Sequence, residues 1–195
     1  MKYLLSGLIL LMLSMGSHAQ KSRHPYLVGA GFHFVDFHVV QKDNMQSRLT
    51  SIDWMNALVP LSVSVNARLN NSFAIGISSS IARIETRKLN EIPLDEEIRS
   101  NFFYKTGGQL EYKFNNGYIL NYNSRLAPYL LLGASATSIN DKIHFSQSYG
   151  LGLNVWINDK IGLTFQGSYD NMNDFNDYMH YSMGFVAKIG KMSDK

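Results

Sequence analysis

One histidine and one serine stand at a spacing that nucleophilic catalysis can use. His180 and Ser182 are two residues apart, so in a β-strand both side chains lie on the same face. A histidine can activate a serine hydroxyl, but it needs a carboxylate that orients the imidazole. The acid that follows Ser182 is Asp194, which lies beyond the strand that we predict. We therefore expect no catalysis and interpret His180 as a histidine at the rim of a sheet.

A second candidate is a segment rich in oxygen ligands, DNMNDFND at residues 170–177. Carboxylate and amide oxygens suit calcium, but the segment lacks the glycine and the final glutamate of a calcium loop. We interpret it as a solvated loop. Four further histidines show no metal-ligand spacing, and no phosphate loop or nucleotide fingerprint is present, so we expect no metal and no cofactor. These histidines are His24, His33, His38 and His144.

Composition removes several classes of function. The 195 residues contain no cysteine, which excludes disulfides, thiolate metal sites and a cysteine nucleophile. The formal net charge is +3 and the isoelectric point about 9.0, but the basic residues are scattered, so we expect no nucleic-acid partner. Charged residues make up 17% of the chain, below the quarter typical of soluble domains.

The amino-terminal segment has the pattern of an export signal. Lys2 precedes an apolar run from Leu4 to Met15, and Ser17-His18-Ala19 forms a small-x-small cleavage site. We predict a signal peptide at residues 1–19 and a single domain at residues 20–195. After the signal no apolar run is long enough for a transmembrane helix. A membrane location for the mature chain would therefore require a closed β-barrel.

The mature chain alternates between apolar and small or polar residues in eight segments. In the second segment, for example, Val63 and Val65 alternate with Ser62 and Ser64, which is the strand signature. We predict an all-β fold, an eight-stranded antiparallel up-and-down transmembrane β-barrel. The predicted strands are 26–40, 58–69, 73–84, 101–114, 128–139, 148–157, 161–170 and 180–190.

The connections alternate in character. We predict long or polar loops at residues 41–56, 85–100 and 170–179, and tight turns at Asn70-Asn71 and at residues 158–160. Asparagine tolerates positive φ, and Asn115-Asn116-Gly117 is the strongest turn signal in the chain. Long outer loops and short periplasmic turns are typical of bacterial barrels. Two connections depart from this rule, because 115–127 is long for a turn and 140–142 is short for an outer loop.

The sizes of the two alternating sets indicate which face is outside. Eight strands enclose a narrow interior, which Gly, Ser, Ala, Thr and Asn fit, whereas the bulky set fits lipid. A soluble barrel would instead carry many charges on its outer strand face. Charges facing lipid cost about 2–4 kcal/mol each near the midplane, so we place the strand charges in the lumen, where they pair and fill it. These charges are Arg68, Lys105, Glu111, Lys113 and Lys188.

Aromatic residues near the predicted strand ends suggest a girdle at the two water interfaces. General enrichment of aromatics in strands would give a similar count. The candidates are Tyr104, Tyr112, Tyr129, Tyr149, Trp156, Tyr169 and Tyr181.

Three sequence stretches carry a family resemblance: APYLLLGAS, GLGLNVWINDKIGLTFQGSYD and HYSMGFVAKIGK. They resemble the transmembrane barrel of OmpA-like proteins, in particular the outer-membrane β-barrel domains of Bacteroidetes-type Gram-negative bacteria. The resemblance implies an outer-membrane location, contact with membrane lipid and lipopolysaccharide, a monomer, and a structural or surface-interaction role without catalysis. Many relatives continue into a peptidoglycan-binding domain, and this chain stops at Lys195, so we do not expect that anchoring role.

The last predicted strand is also similar to two known patterns. Ser182, Gly184, Ala187 and Ile189 match the spacing of the signal that the barrel-assembly machinery reads, although Ala187 is small and a terminal phenylalanine is missing. His180-Tyr181-Ser182 is similar to the His-x-Ser pair of lipid A deacylase barrels. A deacylase-like enzyme is therefore the leading alternative, and a periplasmic lipocalin-like binder is a second.

Overall fold

The computed structural model describes residues 26–37, 56–84, 101–172 and 177–190, with only the backbone of residues 56–59. The predicted signal peptide, Asp194 and most of the two long predicted loops, 41–56 and 85–100, lie outside these residues. No helix in the described ranges is long and apolar enough to cross a membrane.

Eight strands form one closed barrel in which each strand is antiparallel to its neighbours in the sequence. The first strand pairs with the last and completes the circle. The prediction of an eight-stranded antiparallel barrel is therefore confirmed. The strands are β1 (Tyr26–Asp36), β2 (Asn56–Arg68), β3 (Phe73–Ile84), β4 (Phe102–Lys113), β5 (Leu126–Ile139), β6 (Lys142–Trp156), β7 (Ile161–Met172) and β8 (Tyr178–Ile189).

Several strands extend beyond their predicted bounds, β6 the furthest. β6 begins at Lys142 rather than at residue 148, and β7 continues through Asp170 to Met172. In β7 the alternation of buried and exposed positions persists to the end, with Asp170 and Met172 buried. The predicted loop at 170–179 is therefore wrong at both ends, because residues 170–172 are still paired with β6 and residues 178 and 179 already belong to β8.

The two faces of the barrel wall differ as the residue sizes predicted. Along most of its length each strand directs small or polar residues inward and large apolar residues outward, which gives a continuous apolar belt around the barrel. Large apolar side chains also point inward near the two ends of the barrel. On an ordinary soluble surface so many large apolar side chains would not be exposed together, whereas lipid covers them. The exposed members include Phe32, Val63, Ile77, Tyr104, Leu132, Leu151, Phe165 and Phe185, one from each strand.

The turns use asparagine in a different way from that predicted. Asn70 does not take positive φ; its side-chain oxygen instead accepts hydrogen bonds from the amides of Ser72 and Phe73, at 2.8 Å each. The tight two-residue hairpin joins β5 to β6, where Asn140 and Asp141 have φ of 52° and 62°, as a type I′ turn requires.

The predicted Asn115-Asn116-Gly117 turn is present, with Gly117 at φ 86°. It does not join β4 to β5 directly, because it is one part of a longer connection at residues 114–125. Within that connection the Asn116 side chain accepts hydrogen bonds from the amides of Tyr118 and Ile119. The predicted long periplasmic connection is therefore an ordered loop with internal hydrogen bonds.

Candidate functional site: the lumen

Apolar clusters occupy both ends of the barrel interior. We call the first the loop-end cluster, because it lies where β1, β3, β5 and β7 end; it comprises Val35, Phe37, Ala82, Ile84, Phe103, Ile139, Met172 and Tyr178. The second, the turn-end cluster, lies at the opposite end and comprises Leu27, Ala127, Trp156 and Val186. Most side chains of the loop-end cluster are almost completely shielded from solvent. The polar lumen lies between the two clusters.

A buried ion pair crosses this lumen. The Nζ atom of Lys105 on β4 donates a hydrogen bond to Oδ1 of Asp170 on β7 at 2.6 Å. Ser148 and Ser168 donate their hydroxyls to the same carboxylate, and Lys105 Nζ lies 5.6 Å from the centre of the Tyr178 ring. Burial of a charge is costly unless it is paired and hydrogen-bonded, and this carboxylate meets both conditions.

Glu111 forms the centre of a second polar group. Its Oε1 atom accepts a hydrogen bond from Gln109 at 2.8 Å, and its Oε2 atom lies 3.9 Å from Nζ of Lys113. All three residues come from β4 and are buried. Gln109 also reaches the Oδ1 atom of Asn66 on β2 at 3.4 Å, so this group links two strands that are not neighbours.

Four of the five charged residues that we predicted in the lumen interact electrostatically as one group, namely Arg68, Glu111, Lys113 and Lys188, whereas Lys105 has a different partner. Glu111 and Lys113 lie together, whereas Lys105 pairs with Asp170. Arg68 donates to the carbonyls of Asn70 and Asn71 at the β2–β3 turn. Lys188 places its Nζ atom 3.8 Å from the centre of the Trp156 ring, a cation–π contact.

The sequence interpretation missed Asp170 and Tyr178 because it assigned both to a loop. Tyr178 is fully buried, and its hydroxyl shares a hydrogen bond with Thr137 at 3.0 Å. The available signal was the continued alternation Gln166, Ser168, Asp170, which keeps the inward face polar.

The lumen between the two clusters holds a cavity of about 60 Å³, which is enough for a few water molecules. The space exists because many of the inward residues are small, mainly glycine and serine. It is lined in part by Lys105, Glu111, His180 and Ser182. Among the residues that the structure describes, the Oε2 atom of Glu111 and both ring nitrogens of His180 have no hydrogen-bond partner. Buried water is the usual partner for such groups.

The candidate catalytic pair lies inside the barrel rather than at its rim. His180 is 5% exposed, and its ring centre lies 5.2 Å from that of His33. Because neither ring nitrogen of His180 has a hydrogen-bond partner among the described residues, the histidine makes none of the hydrogen bonds to a serine and a carboxylate there that nucleophilic catalysis needs. The interpretation of His180 as a rim residue is wrong, because its side chain is buried within the lumen and packs against His33.

The oxygen-rich segment at residues 170–177 begins within β7 and forms local hydrogen bonds. Asp177 accepts hydrogen bonds from the Tyr169 hydroxyl, from the Asn171 side chain and from the Met172 amide, while Asp170 points into the lumen. Residues 173–176 of this segment lie outside the described ranges. In the described part of the chain, no group of three or more His, Cys, Asp or Glu residues could hold a metal ion.

Two of the seven residues proposed for the aromatic girdle do not face lipid. Tyr129 and Trp156 are 4% and 9% exposed and point into the lumen. Each lies beside an inward glycine that leaves room for the ring: a Cβ atom on Gly152 would lie 2.2 Å from the Tyr129 ring, and one on Gly162 would lie 3.0 Å from Trp156. The reason is strand parity, because Trp156 alternates with the outward Val155 and Ile157.

The other five girdle candidates lie on the outward face. Tyr104 and Tyr149 are exposed, and Tyr112, Tyr169 and Tyr181 are partly exposed. Their position at a membrane–water interface stays a prediction.

The predicted assembly signal divides between the two faces of β8. Ser182 and Gly184 are on the inward face, and Ala187 and Ile189 are on the outward face, with Ile189 50% exposed. Gly184 lies opposite Gly31 in β1. A Cβ atom on Gly184 would lie 2.3 Å from the backbone oxygen of Ala30, so close packing at the seam is sufficient to require glycine here. Recognition by the assembly machinery stays a prediction.

Comparison with known proteins agrees with this geometry. Residues 6–188 match the family model described as outer membrane protein beta-barrel domain, and the chain belongs to that family. It is therefore a β-barrel protein of the outer membrane. No curated protein matches the chain in sequence.

Solved structures with a similar fold include two from Pseudomonas aeruginosa. The amino-terminal barrel domain of OprF is 10% identical, with a TM-score of 0.54 over 87% of this chain and 100% of that one. The outer membrane protein OprG is 13% identical, with a TM-score of 0.54 over 89% of this chain and 98% of that one. At this identity the likeness supports the fold alone.

Proposed function

We propose that this protein is a closed, non-catalytic barrel that stabilises the outer membrane and presents its loops at the cell surface. The observation that carries the proposal is the construction of the lumen: apolar clusters occupy both ends, and a buried ion pair crosses it next to the loop-end cluster. Eight strands leave little room for a channel, and these side chains fill much of it.

The orientation follows the rule for bacterial barrels. The connections after β1 and β3 are long, and in this family of architectures long connections face the cell exterior while short turns face the periplasm. The loop-end cluster then closes the outer end of the lumen. Residues 1–19 would direct export, residues 20–195 would form the barrel domain, and Ser182, Gly184, Ala187 and Ile189 would guide insertion by the assembly machinery.

The competing function is lipid A modification by His180 and Ser182. The substrate of such an enzyme lies in the membrane, whereas both side chains face the lumen. Neither ring nitrogen of His180 has a hydrogen-bond partner in the part of the chain that the structure describes. This arrangement favours a structural role for both residues.

Two measurements test the proposal. In a planar bilayer we expect the purified barrel to show no stable conductance, and steady channel openings would contradict the closed lumen. In cells we expect lipid A from strains with the wild-type protein, with Ser182→Ala and with no protein to give the same mass spectrum. A change in acylation that depends on Ser182 would establish the enzyme instead.

A further inference from the structure

The lipid-facing wall carries an apolar groove across β6, β7, β8 and β1. Its volume is about 410 Å³. One row of paired residues explains its shape: Leu151 faces Gly167, Gly167 faces Tyr181, and Tyr181 faces Phe34. Three of these residues are large, and Gly167 has no side chain, so the wall is recessed at that position. Leu153, Phe165 and Met183 complete the apolar walls.

Gly167 is not required there by the backbone. A Cβ atom built on it would meet the Tyr181 ring at 3.5 and 3.7 Å, which are ordinary contact distances, and its φ is not in the left-handed region. This differs from Gly184, where an added Cβ atom would collide with backbone. The recess at Gly167 is therefore a feature of the surface rather than a demand of strand packing.

We propose that this groove is a binding site for one acyl chain of lipid A. The groove is continuous with the apolar belt that contacts membrane lipid, and none of its lining residues is charged. An acyl chain on a convex wall touches protein on one side, whereas in the groove it contacts Tyr181, Phe165 and Leu151 on several sides. The hydrophobic effect does not favour one apolar surface over another within the bilayer, so the extra van der Waals contact determines how long an acyl chain stays bound in the groove.

The position of the groove indicates the leaflet. It runs obliquely from Phe34 and Tyr181, which are close to the loop ends of β1 and β8, to Leu153, which is nearer the turn end of β6. With the long connections outside the cell, an inference that rests on the orientation proposed above, the groove opens towards the outer leaflet. The lipid of that leaflet is lipid A.

The test fills the groove and counts the lipid that stays bound. Gly167→Leu places a side chain in the recess. Gly108→Leu is the matched control, since Gly108 is also a glycine on the outward face of a strand but lies on β4 outside the groove. Each protein is extracted from outer membranes in mild detergent, and the lipid A retained per barrel is measured by mass spectrometry. We expect about tenfold less with Gly167→Leu and wild-type retention with Gly108→Leu.

Equal retention by the two variants would overturn the proposal, as would retention of phospholipid in place of lipid A. So would a wild-type dimer that becomes a monomer on Gly167→Leu, because a second copy would then be the occupant. Gly167→Ala, which the structure accommodates, provides a smaller filling group if the leucine impairs folding, and should give an intermediate loss. Heat-modifiable gel mobility and membrane fractionation separately report whether each variant is a barrel in the outer membrane.

Discussion

Lys105 on β4 and Asp170 on β7 join opposite walls of the barrel through a hydrogen bond of 2.6 Å, and both side chains are almost completely buried. The two strands are not neighbours in the sheet. The pair therefore ties together parts of the wall that the strand ladder does not connect directly.

Removal of the lysine should leave an uncompensated charge. We expect Lys105→Met to lower the free energy of unfolding by about 3–5 kcal/mol, because Asp170 would stay buried without a cation. The double variant with Lys105→Met and Asp170→Asn should recover most of this loss. Urea unfolding of the barrel in lipid vesicles measures all three proteins.

Lys188→Met is the control for this experiment, since Lys188 is partly exposed and contacts Trp156 rather than a carboxylate. It should cost about 1 kcal/mol or less. If Lys188→Met lowered the free energy of unfolding as much as Lys105→Met does, the ion pair would contribute no more to stability than the contact of Lys188 with Trp156.

The seam between β1 and β8 should be sensitive to side-chain size. Gly184→Val would force a side chain against the backbone oxygen of Ala30, and we expect about 1–3 kcal/mol of destabilisation, seen as a smaller folded fraction by heat-modifiable gel mobility. Gly108→Val should fold as the wild type does, because Gly108 is exposed and a Cβ atom added to it would lie 3.9 Å from its nearest neighbour. Equal folding of the two variants would argue against a tight seam.

The β5–β6 hairpin offers a stabilising substitution. Asp141 has φ of 62°, a backbone conformation that is unfavourable for residues with a Cβ atom but not for glycine. Asp141→Gly should therefore raise the free energy of unfolding by about 0.5–1 kcal/mol, and Asn140→Val should lower it by about 1–2 kcal/mol. Urea unfolding curves would contradict the turn assignment if both changes had the same sign.

The inward placement of Trp156 is accessible to fluorescence. In a Trp54→Phe background Trp156 is the one remaining tryptophan, and we expect brominated lipids to quench its emission weakly. The matched variant carries Trp156→Phe and Val155→Trp, which moves the indole to the outward face, and should be quenched strongly. Similar quenching in both proteins would restore Trp156 to the aromatic girdle.

Alternation predicted the number of strands, because the side chains of a strand alternate with a period of two, and the sizes of the two alternating sets predicted which face lies outside. The prediction of strand ends failed where a strand continues beyond the last apolar residues of its alternating pattern. At Asp170 a charged residue next to Asn171 resembles a loop, although its register with Ser148 in β6 keeps it inside the lumen. Strand ends depend on pairing with a neighbour, which composition does not encode.

The grouping of the lumenal charges could not be predicted from sequence. Parity indicated that Lys105 and Lys188 share the interior, but their partners depend on height along the barrel axis, and height depends on the stagger between strands. Tyr129 and Trp156 are a different case, because their parity in β5 and β6 already placed them on the inward face, and their position near the strand ends alone suggested interface aromatics.

The pairing of β1 with β8 also bears on the order of folding. The two strands are separated by almost the whole chain, and loop closure of that length is slow relative to the formation of neighbouring hairpins. Until β8 is available, β1 and β7 both present unpaired edges. We therefore expect the close contact of Gly31 with Gly184 to be one of the last to form during biogenesis. A chain stalled before this step would be an open sheet whose unpaired edge strands can pair with another chain.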